Sequence, residues 1–530
     1  MKAVAALKKI IESLLIVSVL MLNIPLSSFA QQMNESKDNE MAPSVREYMA
    51  GLRDLNRAYY DMNYTILAQK EAAYFKSWKQ KMQLFQFDKF SQGAKVDYIL
   101  LSKNIERNES DLADQQKSWD ELQPVLPFAD QILELVKMRH WGSTPDAKLV
   151  ATIYDSIGKE IQTAQEKLSQ TNLTGIHSLP IVMNIMHSLR GNLRDVYNFY
   201  NGYDPSFTWW VATSFRQTDS LFDIYTEKIQ NKISNNLASN DGSGIPGVPI
   251  GLAKVKQSLN FEMIPYSADE LVNIAKQEYD WCLKEMKKAS AQMGYKDDWH
   301  AALEAVKNDY VPVGQQPALI DSLQNEALDF VAAHKLIDIP PLAKETWTMK
   351  MMSPKEQLIN PFFYGGILIS ISYPTNTMSY SDKLESLRGN NIYFSRATVF
   401  HELLPGHYLQ AYMNERYKTY RRPFQTAFWT EGWAFYWEML LWDNGFDKTP
   451  EQKIGALYWR MTRCARIIFT MNFHLGHWTP KQCVDYLVNS AGLERKNAEA
   501  EVRRSFGGEY DPLYQIAYMI GALQFRALHH

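Results

Sequence analysis

Along most of the chain, apolar positions fall three or four residues apart with charged residues between them. The stretches Val45 to Trp78, Gln131 to Lys137, Ala147 to Leu168, Ser220 to Ile233, Ser267 to Met293 and Ile320 to His334 all keep this spacing. It is the period at which a helix gathers its apolar side chains on one face. The pattern predicts a mainly α protein, a large multi-helix fold. Asn235 to Pro249, dense in Asn, Asp, Gly, Ser and Pro, reads as a loop. After Pro340-Pro341, the runs Phe362 to Ile371 and Asn391 to Phe394 are rich in β-branched and aromatic residues and read as short strands, a small β element near residues 360–395. Beyond Ser395 the spacing is helical to the end. No repeat of twenty to fifty residues is visible, which argues against a solenoid.

Residues 1–30 are of another kind. Lys2, Lys8 and Lys9 precede the apolar run Leu14 to Leu22, and Ser28-Phe29-Ala30 supplies small residues ahead of Gln31. This is the layout of a secretory signal peptide cleaved after about Ala30, and the run is too short to span a bilayer comfortably. The expectation is a periplasmic or secreted chain with no stable membrane insertion after cleavage. No cysteine near Ala30 is available to carry a lipid. The remainder reads as a helical part at 31–345 continuous with a second part at 346–530.

Losing residues 1–30, with three Lys and one Glu, takes the formal charge from −3 to −5. A mildly acidic chain without a basic block has no electrostatic footprint for nucleic acid. Cys282, Cys464 and Cys483 are far apart and form no CxxC, so a zinc ribbon or dithiol motif is absent, and buried thiols are the simplest reading.

Chemistry concentrates in Thr398-Val399-Phe400-His401-Glu402-Leu403-Leu404-Pro405-Gly406-His407. In an HExxH helix two imidazoles one turn apart grip zinc, and the glutamate between them activates water. Here the second imidazole comes two residues late. A regular helix would turn it through about 600° and carry it about 9 Å along the axis, out of reach. Pro405, without an N–H, and Gly406, with its backbone freedom, allow a two-residue bulge that restores the one-turn relation. Glu431 is the best third ligand, since a carboxylate among Phe428, Trp429, Trp433 and Phe435 needs a counter-charge. An ion pair with Arg463 or Arg466 is the other reading of Glu431. Glu438, seven residues on, lies on the same face and can orient a ligand imidazole.

His401 to Gln410 together with Glu431 to Glu438 resembles the bacterial family called domain of unknown function 885, with its motifs HExxPGHxxQ and EGWxxYxE. Arg463, Arg466, His474 and Trp478, then Gln515, Tyr518 and Gly521, are similar to further segments of that family; Thr470 and Asn472 depart from it. The family is itself similar to gluzincin-type helical zinc peptidases such as angiotensin-converting enzyme and the Taq carboxypeptidases. The resemblance implies one zinc ion held by His401, His407 and Glu431, with Glu402 as general base. It also implies that Tyr518 and His474 stabilise the oxyanion. Tyr510 and Tyr514 compete with Tyr518 for that role, and His477 stands beside His474. Arg504 can hold a substrate carboxylate, although a structural arginine is the commoner use.

The resemblance further implies a deep cleft, with the helical part at 31–345 forming one wall beside a metal-binding catalytic part at 346–530, and the expected function is a zinc-dependent metallohydrolase that cleaves short peptides. Hydrolysis of a non-peptide amide or ester, and a catalytically inactive helical binding protein, are the competing classes.

Overall fold

A computed structural model describes residues 38–529 except 60–63, 174–178, 238–239, 358–362, 364 and 509. The signal-peptide reading of residues 1–30 lies outside them. Helices dominate throughout, as the spacing predicts. The stretch Val45 to Trp78 belongs to two helices, α1 (Ala42–Tyr59) and α2 (Tyr64–Gln83). They pack with the long α3 (Gln92–Leu122) around Met41, Tyr48, Trp78 and Leu101, a core that Tyr420 from the C-terminal part completes. A second bundle, with α4 (Ala147–Lys167), α5 (Leu179–Tyr200) and α6 (Pro205–Leu237), buries Tyr154, Leu193, Phe222 and Tyr225. The turn-rich segment expected at 235–249 begins after α6, whose last turn includes Asn235.

The third core surrounds the site. It draws Val255, Ala275, Ile320 and Ala343 from before residue 345, together with Val399, Phe435, Ile467 and Ile516 from after it. A common apolar interior therefore crosses the boundary between the two parts. Much of the N-terminal contribution comes from α7 (Ala268–Gln292), opened by a Ser267–Glu270 capping box, and from α8 (Gln316–Ala333).

The β element is smaller than the sequence suggests. Met349–Met351 (β1) and Ile369–Ile371 (β2) pair in parallel, Met349 opposite Ile369. The strand expected at Asn391 to Phe394 is instead the start of helix α9 (Ile392–Glu402). Asn391 is its N-cap, its side chain accepting from the backbone N–H groups of Tyr393 and Phe394. Phe394 then stacks on Tyr458, ring centroids 4.0 Å apart. Capping and this burial outweigh the β preference of Ile, Tyr and Phe, a preference that reflects packing context more than backbone.

Four further helices complete the site: α10 (His407–Asn414), α11 (Ala427–Asp443), α12 (Pro450–His474) and, after α13 (Arg495–Phe506), the terminal α14 (Tyr514–His529). α11 and α14 approach closely because glycine faces glycine. A Cβ on Gly432 would stand 2.6 Å from the Gly521 Cα, and one on Gly521 would meet the Phe428 carbonyl. Neither collision can be relieved without moving backbone, so the pair fixes the depth at which Glu431 sits.

Candidate metal centre

The spacing problem of His401 and His407 is solved by a break, where the sequence suggested a bulge within one helix. α9 stops at Glu402 and α10 restarts at His407, with a cis Leu404–Pro405 peptide between them. Several of the polar groups freed by the break find partners. The Gly406 N–H donates to the Phe400 carbonyl at 2.9 Å, and the Tyr408 N–H to that of Leu403 at 3.1 Å. The buried Gln324 amide on α8 donates to the Leu404 carbonyl at 2.9 Å, and the Leu404 N–H donates back to it at 3.3 Å. The Trp433 indole donates to the Pro405 carbonyl at 2.9 Å. A side chain at Gly406 would run into the His401 carbonyl, so only glycine lets the chain double back.

The two imidazoles end with ring centroids 4.8 Å apart and planes at 87°. Glu431 Oε2 lies 3.5 Å from His401 Nε2 and 3.3 Å from His407 Nε2. Its other oxygen accepts a hydrogen bond from the Tyr514 hydroxyl. Ligand atoms of the three residues all lie within 4.8 Å of one another. Atoms 2.0–2.1 Å from a tetrahedral zinc stand about 3.3 Å apart, so the separations from Glu431 Oε2 are those of a ligand set around one such ion. Glu431 Oε2 is buried with no hydrogen-bond donor directed at it, an atom that a cation would satisfy. The donor set, two imidazoles and a carboxylate, suits zinc, and these residues fit the ion implied by the resemblance.

Second contacts tighten the cluster. His401 Nδ1 is 2.7 Å from Glu438 Oε1, and Arg463 donates to the same oxygen at 2.9 Å. Burial opposes protonation of His401, but Glu431 and Glu438 override it and hold the ring up to about 9. Burial likewise opposes ionisation of Glu431; the two imidazoles prevail and keep its carboxyl well below the ordinary carboxylate range.

A cavity of about 440 Å³ opens over this cluster. Glu402 lines it beside Gly365, where an added Cβ would stand 2.7 Å from the Glu402 Cβ. Tyr510, Tyr514 and Tyr518 line it as well. The Tyr518 ring lies 6.2 Å from that of His401, with planes 19° apart. Burial, and then the Glu431 charge, push the Tyr518 phenol well above the ordinary tyrosine range; for Tyr514 the causes are burial, Tyr518 and Glu431. Both phenols stay neutral donors.

The arginines settle the alternative for Glu431. Arg463 is committed to Glu438, and Arg466 to Glu501 at 2.6 Å, leaving Glu431 to the imidazoles and Tyr514. Arg504 lines the cavity but is engaged as well, with Glu501 and, at 3.4 Å, with the Tyr510 hydroxyl. Burial raises Glu501, and Arg466 and Arg504 more than offset this, pulling it down to about 2. Arg504 is thus tied into a structural network before any substrate arrives.

His474 corrects an expectation. It ends α12 packed against Phe473 and Phe506, at 5.1 and 5.7 Å between centroids, and is not among the residues lining the cavity. Burial pushes its imidazole down to about 4. His477 is exposed at the surface. Sequence reading missed Gln324 and Glu501, which support the site from distant segments. It met Tyr514 only as a rival of Tyr518, although Tyr514 precedes it by one helical turn and the two share a face.

Fold and site together define a helical protein with a buried two-histidine, one-glutamate cluster at the floor of a cleft. The chain belongs to the family described as bacterial protein of unknown function (DUF885), which matches over residues 45–530. No curated protein matches. Among solved structures, a protein of unknown function from Shewanella oneidensis, provisionally called a lipoprotein, shares the fold with a TM-score of 0.67 at 17% identity, covering 92% of each chain. A protein from Colwellia psychrerythraea, also provisionally called a lipoprotein, is matched at 16% identity over 71% of this chain and 68% of its own, with a TM-score of 0.48.

Proposed function

We infer that this chain is a zinc-dependent hydrolase, specifically a peptidase that cleaves short peptides. The observation that carries the reading is the placing of Glu431 Oε2 3.5 Å and 3.3 Å from His401 Nε2 and His407 Nε2, beneath a cavity that Glu402 also lines. When bound, zinc supplies a water acidified toward neutral pH and a positive charge beside the scissile carbonyl. The residues of the chain divide the remaining work. Glu402 accepts the proton of the attacking water and returns it to the leaving amine. Tyr518, neutral and facing the same cavity, donates to the oxygen on which charge develops. Glu438 fixes the orientation of His401 through Nδ1, and Arg463 holds Glu438. The cavity limits substrates to narrow, unfolded segments.

The same reading places the protein outside the cytoplasm. Residues 1–30 have the layout of an export signal, and the Shewanella protein of the same fold is provisionally called a lipoprotein. Among the described residues, no helix is long and apolar enough to cross a membrane.

Elemental analysis of the purified chain and of a His407→Ala variant, each assayed on a mixed-peptide library, tests the reading. About one zinc per wild-type chain, with chelator-sensitive cleavage, and loss of both in the variant are expected. Metal without peptide cleavage would redirect the assignment to another amide or an ester; no metal in either protein would leave a binding protein.

A further inference from the structure

A second and larger cavity, of about 1130 Å³, adjoins the first. Its walls come from α3, from residues 414–429 and from the end of α14. Asn414 and Gln425 line both cavities, so the two lie side by side. Large apolar side chains are left open to solvent here: Met263 and Tyr417 are each 46% exposed, Trp429 44% and Leu528 83%. Apolar surface gathered in one concavity marks a binding site more often than apolar residues scattered singly.

Charge at the rim is one-sided. Arg107 is neutralised by Glu262, and Arg421 by Asp97. Lys418 and Arg422 are exposed, and among the described residues neither forms an ion pair, so the opening carries two uncompensated positive charges. The distance to the metal cluster follows from helix α10. His407 and Asn414 are seven residues apart, about 10 Å of helix rise. An extended peptide covers that in about three residues at about 3.3 Å each.

We propose that this cavity is a distal subsite for an extended peptide, taking a segment of apolar and acidic residues that begins about three positions from the bond to be cleaved. The assignment rests on the peptidase reading for its scissile bond, but not for binding itself. Apolar side chains of the segment cover Trp429 and Leu528, while Asp or Glu side chains meet Lys418 and Arg422. Short peptides fill the smaller cavity alone and gain nothing from the larger one.

The test uses two fluorescein-labelled octapeptides, one alternating Leu with Glu over its distal half and one with Lys in place of Glu. Anisotropy is read on the full chain in the presence of a chelator, so that no turnover intrudes. The acidic peptide is expected to bind at least tenfold tighter than the basic one. The exposed double variant Lys418→Glu/Arg422→Glu should reverse that order, and Leu528→Asp should weaken both peptides. Equal binding of the two peptides, or a double variant with unchanged preference, would overturn the proposal. A parallel assay on the zinc-loaded chain compares kcat/KM for the acidic octapeptide with that for a tripeptide, a ratio expected to fall about tenfold in the double variant. Charge-selective binding with no cleavage of either peptide would sink the peptidase reading and leave the subsite standing. Cleavage of both at an unaltered ratio would do the opposite.

Discussion

His401 presents Nε2 to Glu431 and Nδ1 to Glu438, whose Oε1 lies 2.7 Å from Nδ1 and also accepts from Arg463. A carboxylate behind a ligand imidazole fixes its tautomer and raises its basicity. Glu438→Gln keeps the shape and an oxygen but loses the charge, and is expected to lower zinc affinity about 10-fold above about pH 9, where no proton competes; Glu438→Ala lowers it toward about 100-fold. Ala also strands the Arg463 guanidinium, a loss of about 3–5 kcal/mol for one partner of a buried pair. Chelator competition reads the first effect and urea denaturation the second. Unchanged affinity in both variants would remove Glu438 from the site.

Gly365 separates metal binding from turnover. An added Cβ would stand 2.7 Å from the Glu402 Cβ and 3.0 Å from its Cα, and its three nearest atoms all belong to Glu402. Gly365→Ala therefore displaces the proposed base and leaves the ligands alone. Full zinc content with kcat reduced at least 100-fold is expected, matching Glu402→Gln, because a positioned general base contributes about 10²–10⁴-fold. Wild-type turnover in Gly365→Ala would show that Glu402 is not the base.

His474 carries an acid sensitivity instead of catalysis. Burial holds its folded-state imidazole down at about 4, whereas in the unfolded chain it takes a proton near 6.5. Between those values the unfolded state binds more protons, so stability is lost as pH falls from about 6.5 to 4. The sum is about 3 kcal/mol for this residue alone. His474→Leu, compared with wild type in urea midpoints across that range, should lose this part of the pH slope. Peptide cleavage near neutral pH should fall little, whereas an oxyanion role would cost about 10²-fold or more.

Much of this site was legible because its signals are local. Pro405 and Gly406 stand where a continuous helix could not deliver both imidazoles, and Glu431 is an acid in an aromatic stretch. The break itself was not, since its support comes from Gln324, eighty residues earlier. Asn391 to Phe394 misled for a related reason. Its residue types favour a strand, and only the Asn391 cap and the stacking of Phe394 on Tyr458 select a helix. His474 illustrates a third limit. A place at the end of α12 does not say which way the ring faces, and it faces Phe473 and Phe506.

The charge state of His401 sets the pH dependence of metal binding. Without metal, Glu431 and Glu438 outweigh burial and keep the ring protonated up to about 9. An imidazole must shed its proton from the nitrogen that takes the ion, so zinc competes with that proton. Apparent affinity should rise about tenfold per pH unit from neutrality toward pH 9 and level off above it, with about one proton released per ion bound in the rising region. Glu438→Gln removes one of the carboxylates that hold the proton, and should move the plateau to lower pH while lowering its height. Zinc titrations in buffers of differing ionisation enthalpy measure the proton count directly. An affinity independent of pH between 7 and 9 would mean that His401 is neutral before the ion arrives.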